Sequence, residues 1–355
     1  MKVKDIINKL YLQHKASAKE LLFLLENIGD DKDYLIKKAN SIRLKNYGKK
    51  VYMRGLIEFT NICVRNCRYC GIRKDNKNIE RYRLTKDQIL ECADIGDKLG
   101  YKTFVLQGGE DPYFTDEVMV DIISSIKKKY PRNAITISIG ERSYESYKKM
   151  FDAGAERYLI RHETASEKLY NSLHPKASFF NRRRCLKDLK DIGYQVGAGF
   201  MVGLPDQSKE DLVKDLLYLK EINPEMCGIG PFIPHKDTPL SRCKGGTLED
   251  TVILLAIIRL LLPHVLLPAT TALGTIHPLG REQGLQAGAN VVMPNLSPKN
   301  VRDKYSLYNG KVCTGEEAAE CRNCIEARIE RAGFKVEISR GDNILWQGRE
   351  EKINE

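Results

Sequence analysis

Three cysteines fall within eight residues, Cys63, Cys67 and Cys70, directly after an apolar run, Val51–Thr60. A loop that curls once can bring all three thiolates onto one small inorganic core. Soft thiolates select iron–sulfur clusters or zinc. The common four-cysteine frameworks fill every iron of a cluster, whereas three cysteines around a 4Fe-4S cube leave one iron open for another ligand. An open iron points to chemistry more than to electron storage. The plainer alternatives are a zinc knuckle borrowing a distant fourth ligand, and buried free thiols.

A second set, Cys313, Cys321 and Cys324, lies in the tail. No histidine follows His277, so a tetrahedral zinc site there would need a distant fourth ligand. A second iron–sulfur cluster (2Fe-2S or 4Fe-4S) is the better expectation, with free thiols as the alternative. Cys92, Cys185, Cys227 and Cys243 lack metal spacing and are expected to pack as small hydrophobes. The chain opens on an amphipathic stretch without an apolar leader, so its ten cysteines indicate metal binding in a reducing cytoplasm.

The elements that must position these residues repeat along the chain. Short apolar, β-rich runs are expected at Val51–Thr60, Lys102–Gly109, Ala134–Gly140, Arg157–His162, Gln195–Gly203, Met226–Phe232, Val265–Leu273 and Asn290–Pro294. Helix signals separate them. Thr85 with Gln88, and Ser208 with Asp211, have capping-box spacing, and Gly100 and Gly193 sit where helices should stop. Strands alternating with helices imply a parallel sheet. Eight repeats predict an α/β fold, a closed (β/α)8 barrel of the TIM type, with an open doubly wound sheet as the alternative. The expected organisation is an N-terminal helical segment at 1–46, the barrel at 47–300 and a C-terminal extension at 301–355 carrying the second cysteine set.

Sites in such barrels lie at the C-terminal ends of the strands, and the first cysteine loop follows the first strand. Gln107, Gly108, Gly109 and Glu110 close the second. Two glycines let backbone carbonyls approach a ligand, and Glu110 adds a negative charge. Glu163, at the end of the fourth strand, and Arg182 could bind a ribose or a carboxylate, with a surface ion pair as the plainer role for Arg182. His162 beside them is more usual as a core histidine. The glycines of Gly197–Gly203 lack the dinucleotide-binding spacing. Thr270 and Thr271 in the seventh run and Met293 at the end of the eighth suit a compact polar or metal-bearing substrate. Met226 and Met293 serve equally well as core fillers.

Composition excludes little. Hydrophobic content of 42% and charged content of 30% are those of a soluble globular protein. The net charge of +11 suits an anionic cofactor or an acidic protein partner. No stretch interleaves basic and aromatic residues, so no nucleic-acid partner is expected. Arg259 and Pro263 break the most apolar run, Val252–Pro268, which reads as a buried helix and a strand rather than a membrane span.

The Cys63, Cys67, Cys70 spacing, with Tyr69 just before the last cysteine, resembles the cluster loop of the radical S-adenosylmethionine superfamily. Gln107–Glu110 resembles its Gly-Gly-Glu motif, which contacts the amino group of S-adenosylmethionine. More specifically, Arg161–Thr164, Gly199–Pro205, Gly230–Leu240, Pro268–Ala272 and the Cys313, Cys321, Cys324 tail together resemble the HydE family of FeFe-hydrogenase maturases. That resemblance implies a barrel with a 4Fe-4S cluster on Cys63, Cys67 and Cys70 and S-adenosylmethionine bound by Glu163 and Arg182. It implies a 5′-deoxyadenosyl radical that attacks the sulfur of a cysteine-bound Fe(CO)2CN precursor. Arg161, Thr270, Thr271, Met293 and Tyr305 would line the substrate cavity. Partners would be the upstream and downstream maturases and a reductant such as ferredoxin or flavodoxin. Biotin synthase, methylornithine synthase and a non-catalytic iron–sulfur scaffold are the competing readings.

Overall fold

The computed structural model describes residues 2–348; residue 1 of the expected N-terminal segment and residues 349–355 of the expected extension lie outside them. Ten parallel strand segments follow the predicted runs: β1 (Lys50–Met53), β2 (Gly55–Thr60), β3 (Thr103–Gly108), β4 (Ala134–Ser138), β5 (Arg157–Leu159), β6 (Gln195–Ala198), β7 (Met201–Val202), β8 (Met226–Cys227), β9 (Gly230–Pro231) and β10 (Val291–Val292). An eleventh, β11 (Lys335–Glu337), comes from the tail.

β2, β3, β4, β5, β6 and β8 form one parallel sheet in that order. Single parallel pairings carry it round to its start: Met226 with Leu266, Pro268 with Val291, and Leu56 with Asn295. β10 also pairs with β1. The barrel is therefore closed, as the repeats predict, and not an open sheet. Strands of such a barrel are covered on both faces and read as continuous apolar runs. β2 is buried at all six positions although it contains Glu58.

Three helices open the chain, α1 (Val3–Gln13), α2 (Ala18–Asn27) and α3 (Lys32–Tyr47). They lie against the barrel's outer helices, where His14 Nδ1 is 2.9 Å from the Leu260 carbonyl. Buried Arg43 donates to the carbonyls of Gly48, Lys50 and Ala289 and so ties α3 to the strands. The outer layer continues with α4 (Lys86–Lys98), α5 (Asp116–Lys129), α6 (Tyr144–Asp152), α7 (Glu167–Leu173), α8 (Phe179–Ile192), α9 (Lys209–Ile222) and α10 (Leu248–Leu261). The chain ends its helices with α11 (Thr271–Ile276), α12 (Gly280–Gln286), α13 (Lys299–Arg302) and α14 (Ala318–Arg331). Thr85 and Ser208 close the predicted capping boxes on α4 and α9. Among the described residues no helix is long and apolar enough to cross a membrane.

One expected strand is corrected. Val265–Leu273 supplies only the pairings at Leu266 and Pro268, and from Thr271 the chain is helical. Pro268 has no N–H to give a ladder, and Thr270 takes the extended backbone of a helix N-cap.

The tail does more than extend the barrel. β11 pairs with β1, and the chain after it crosses the barrel's N-terminal end. The Arg340 carbonyl accepts from Thr103 Oγ1 and Arg157 Nη2, and Asp342 accepts from Arg157 and Gln195. Asn343 Nδ2 donates to the carbonyls of Glu225 and His264. These partners stand at the starts of the strands, so residues 338–346 form a floor beneath the barrel.

Candidate active site at the barrel mouth

The loop after β2 carries the first cysteine set across the opposite end. Val64 N–H donates to the Glu110 carbonyl, and the backbone N–H groups of Arg65 and Glu110 both point at Cys63 Sγ, each at 3.4 Å. Gly109 permits this approach. A Cβ there would stand 2.1 Å from the Ile62 carbonyl oxygen and 2.8 Å from Cys63 Cβ.

All three thiols are half-buried. Burial raises Cys63, pushes Cys67 up to about 12 and raises Cys70 further, and Cys67 and Cys70 are raised again by their neighbouring thiols. Three thiols that oppose one another's ionisation suit a polycationic core, whose charge reverses that balance. Among the described residues no three His, Cys, Asp or Glu side chains converge as a single-ion site requires.

Tyr69 is fixed from behind. Its hydroxyl lies 2.9 Å from His174 Nε2, and His174 Nδ1 is 2.9 Å from the Tyr170 carbonyl. A carbonyl only accepts, so Nδ1 carries the proton and Nε2 accepts from Tyr69. Burial, reinforced by Arg182, lowers His174 to about 4 and keeps it neutral.

Four charged groups join the loop to the ends of β3, β4 and α8. Arg65 pairs with Glu110 at 2.6 Å and with Glu141 at 2.9 Å, and Arg182 pairs with Glu141 at 2.7 Å. Gly140 leaves the room Glu110 needs, since a Cβ there would lie 2.2 Å from Glu110 Cγ. Burial pushes Glu110 up despite Arg65 and Arg182, while those arginines outweigh burial at Glu141 and pull it down. Glu141 and Arg65 carried no expected role. Arg65 lies inside the cysteine loop and Glu141 one residue past the expected run Ala134–Gly140, but pairing across separate loops has no local sequence signal.

Arg182 Nη1 also donates to the Arg161 carbonyl, and Arg161 Nη2 stands 3.1 Å from Glu163 Oε2. Glu163 is buried and left-handed, with φ of +64°. Its backbone exchanges bonds with Gly199 and Met201, and the Ala165 N–H donates to buried Asp215. Asp215 stands 3.3 Å from His162 Nε2. His162 is thus the core histidine expected, and with Asp215 it braces the turn that presents Glu163.

Of the expected cavity residues Arg161 stands with Glu163, and the other four divide into two groups. Gln107 Nε2 reaches Tyr305 Oη at 3.4 Å from the end of β3, one residue before Gly108. Thr270, Thr271 and Met293 line a single cavity with Leu56, Arg281 and Ile325. Thr270 Oγ1 is buried and has no partner in the described structure. The second cysteine set lies behind that wall. Arg281 reaches Thr271 Oγ1 at 3.4 Å and Cys313 Sγ at 3.5 Å. The S–H of Cys321, then Arg281, draws the Cys313 thiol down, whereas Cys324 is exposed on α14.

Comparison with known proteins agrees with this layout. The model of the Radical SAM superfamily matches residues 57–219. Over 334 residues the sequence is 48% identical to the FeFe hydrogenase maturase subunit HydE of Thermotoga maritima, covering 94% of this chain and 95% of that one. The 3-methylornithine synthase of Methanosarcina acetivorans is 29% identical, covering 84% and 83%. The crystal structure of methylornithine synthase superposes with a TM-score of 0.83 at 24% identity, over 98% of this chain and 99% of that one. The maturase HydG gives 0.81 at 20% identity, over 99% and 79%. The two superpositions speak for the fold alone. Identity of 48% along nearly the whole length decides among the enzymes that share it, and the chain belongs to the HydE family of radical S-adenosylmethionine enzymes.

Proposed function

We propose that this maturase acts on a small organometallic iron substrate, a cysteine-bound Fe(CO)2CN precursor, during assembly of the FeFe-hydrogenase H-cluster. A 4Fe-4S cluster with S-adenosylmethionine supplies one-electron radical chemistry. Cys63, Cys67 and Cys70 would hold the cluster. Tyr69, Gln107, Gly108, Gly109, Glu110, Glu163 and Arg182 would hold S-adenosylmethionine. Arg161, Thr270, Thr271, Met293 and Tyr305 would line the substrate space, where Arg161 offers a positive charge to an anionic complex. The substrate's cysteine sulfur is the reacting atom in this reading.

The observation that carries it is the meeting, at one barrel mouth, of a three-thiol loop with Glu110 and the Arg161–Glu163 pair. A floored barrel also keeps water from reactive species. Cys313, Cys321 and Cys324 are proposed to hold a second iron–sulfur cluster, supported by the cationic Arg281 beside Cys313. The ten free cysteines suit the cytoplasm, with upstream and downstream maturases as partners and a ferredoxin or flavodoxin as reductant.

Anaerobic reconstitution followed by EPR of the reduced protein tests the reading. It stands if a 4Fe-4S signal changes on adding S-adenosylmethionine and 5′-deoxyadenosine forms. It falls if no such signal appears or zinc is found in place of iron. Arg161→Leu should then weaken substrate binding while sparing cleavage of S-adenosylmethionine, and unchanged affinity would remove Arg161 from the substrate site.

A further inference from the structure

Of the chain's net charge of +11, a surplus of five falls within the nineteen residues 65–83, which hold seven Arg or Lys against two Asp or Glu. This is the loop that carries the cluster cysteines. Its charges divide by partner. Arg65 and Arg83 are neutralised by Glu110, Glu141 and Asp111. Arg81 lies under the loop and donates to the carbonyls of Asn61, Ile72, Arg73 and Asn76, so it shapes the loop without meeting a carboxylate. The two acids are engaged as well, Glu80 with Lys304 and Asp75 with Asn66.

Arg73 is half-buried and donates to the Asn66 carbonyl, so Arg68, Lys74 and Lys77 remain. They are exposed, and none has a carboxylate at ion-pair distance among the described residues. Lys74 N–H donates to the Arg65 carbonyl, which brings it alongside Val64, an apolar residue 47% exposed beside Cys63. The charges face solvent rather than the cavity, which has its own cation in Arg281. A small substrate inside the barrel does not need them.

We infer that this face of the cluster loop, with Val64 among the uncompensated Arg68, Lys74 and Lys77, docks an acidic one-electron carrier protein. The inference rests on the cluster reading above and deepens it. One electron leaves the reduced carrier and enters the site beneath the loop, so the carrier is oxidised and the enzyme reduced by one electron each. An exposed apolar residue within a ring of like charge gives a short-lived complex its contact, while the charge steers encounter and sets orientation.

The test compares the intact chain with Arg68→Glu/Lys74→Glu/Lys77→Glu and with Lys37→Glu/Lys45→Glu/Lys49→Glu, an equal charge change on and after α3. Calorimetry with an oxidised acidic flavodoxin measures docking without requiring the cluster, and stopped-flow with the reduced flavodoxin measures electron delivery. The loop variant should bind and accept electrons roughly ten-fold or more weakly at low salt, with a flattened salt dependence. The α3 variant should match the parent. Dithionite-driven cleavage of S-adenosylmethionine should be equal in all three. If it fails in the parent, the cluster reading fails while calorimetry still decides docking. If only the loop variant loses it, Arg68→Gln/Lys74→Gln/Lys77→Gln replaces the reversal. Equal flavodoxin affinity and rate in parent and loop variant overturns the proposal.

Discussion

Glu58, in the middle of buried strand β2, receives Lys311 from the tail at 2.6 and 2.8 Å, across 253 residues of chain. The same ammonium donates to the Tyr305 carbonyl at 2.9 Å, and Asn295 Nδ2 completes the carboxylate at 2.8 Å. One pair thus binds the tail to the first barrel strand and holds Tyr305 at the mouth. Lys311→Met should destabilise the protein by about 3–5 kcal/mol, because Glu58 would stay buried without its partner. Glu58→Gln with Lys311→Met should recover most of that loss in urea denaturation. An additive double variant would mean that the pair does not couple.

Glu163 provides a test of stored backbone strain. At φ of +64° a side chain costs about 1–2 kcal/mol that glycine does not. Glu163→Gly should therefore be more stable than Glu163→Ala by about 1 kcal/mol, although both lose the carboxylate. Both variants should lose affinity for S-adenosylmethionine in calorimetry. The opposite stability order would show that the turn is not strained.

How much of this was legible follows from the range of each contact. The cysteine loop, the Gly-Gly-Glu turn and the capping boxes are local patterns, and local spacing is what one sequence displays. The closed barrel could be read because buried parallel strands leave apolar runs. The seventh run misled, since apolar residues alone do not show that Pro268 and Thr270 end a ladder. The floor left no trace: Arg157 with Asp342, like Glu58 with Lys311, joins polar residues far apart in sequence with no period to reveal them. The bracing of Glu163 by Asp215 and His162 was hidden for the same reason.

His174 makes a pH prediction. Its folded value of about 4 lies below the ordinary 6.5, because burial and then Arg182 disfavour the charged ring. The unfolded chain therefore binds the extra proton first. The contribution is complete above pH 6.5, declines as pH falls from there towards about 4, and reaches roughly 3 kcal/mol at most. His174→Gln should flatten the stability profile in that window and free the Tyr69 hydroxyl. Equal slopes for parent and variant between pH 4 and 6.5 would refute the buried neutral ring.

The floor has its own test. Arg157 is fully buried, and its charge meets Asp342 at 2.7 Å while Arg54, also buried, adds repulsion nearby. Among the described residues the Arg54 guanidinium donates to Met226 Sδ at 3.0 Å and to the Gly341 carbonyl at 3.2 Å. Removing the carboxylate leaves Arg157, Arg54 and Arg340 at the barrel's lower end without the Asp342 charge they share, and only Glu156 among the described acids still acts on Arg157. Asp342→Ala should cost about 3–5 kcal/mol in urea denaturation, and Arg157→Leu added to it should restore part of the loss. Hydrogen exchange should quicken first at β5 and β6, whose starts Asp342 joins through Arg157 and Gln195. A loss under about 1 kcal/mol, the range of exposed ion pairs, would mean that water already reaches this end of the barrel.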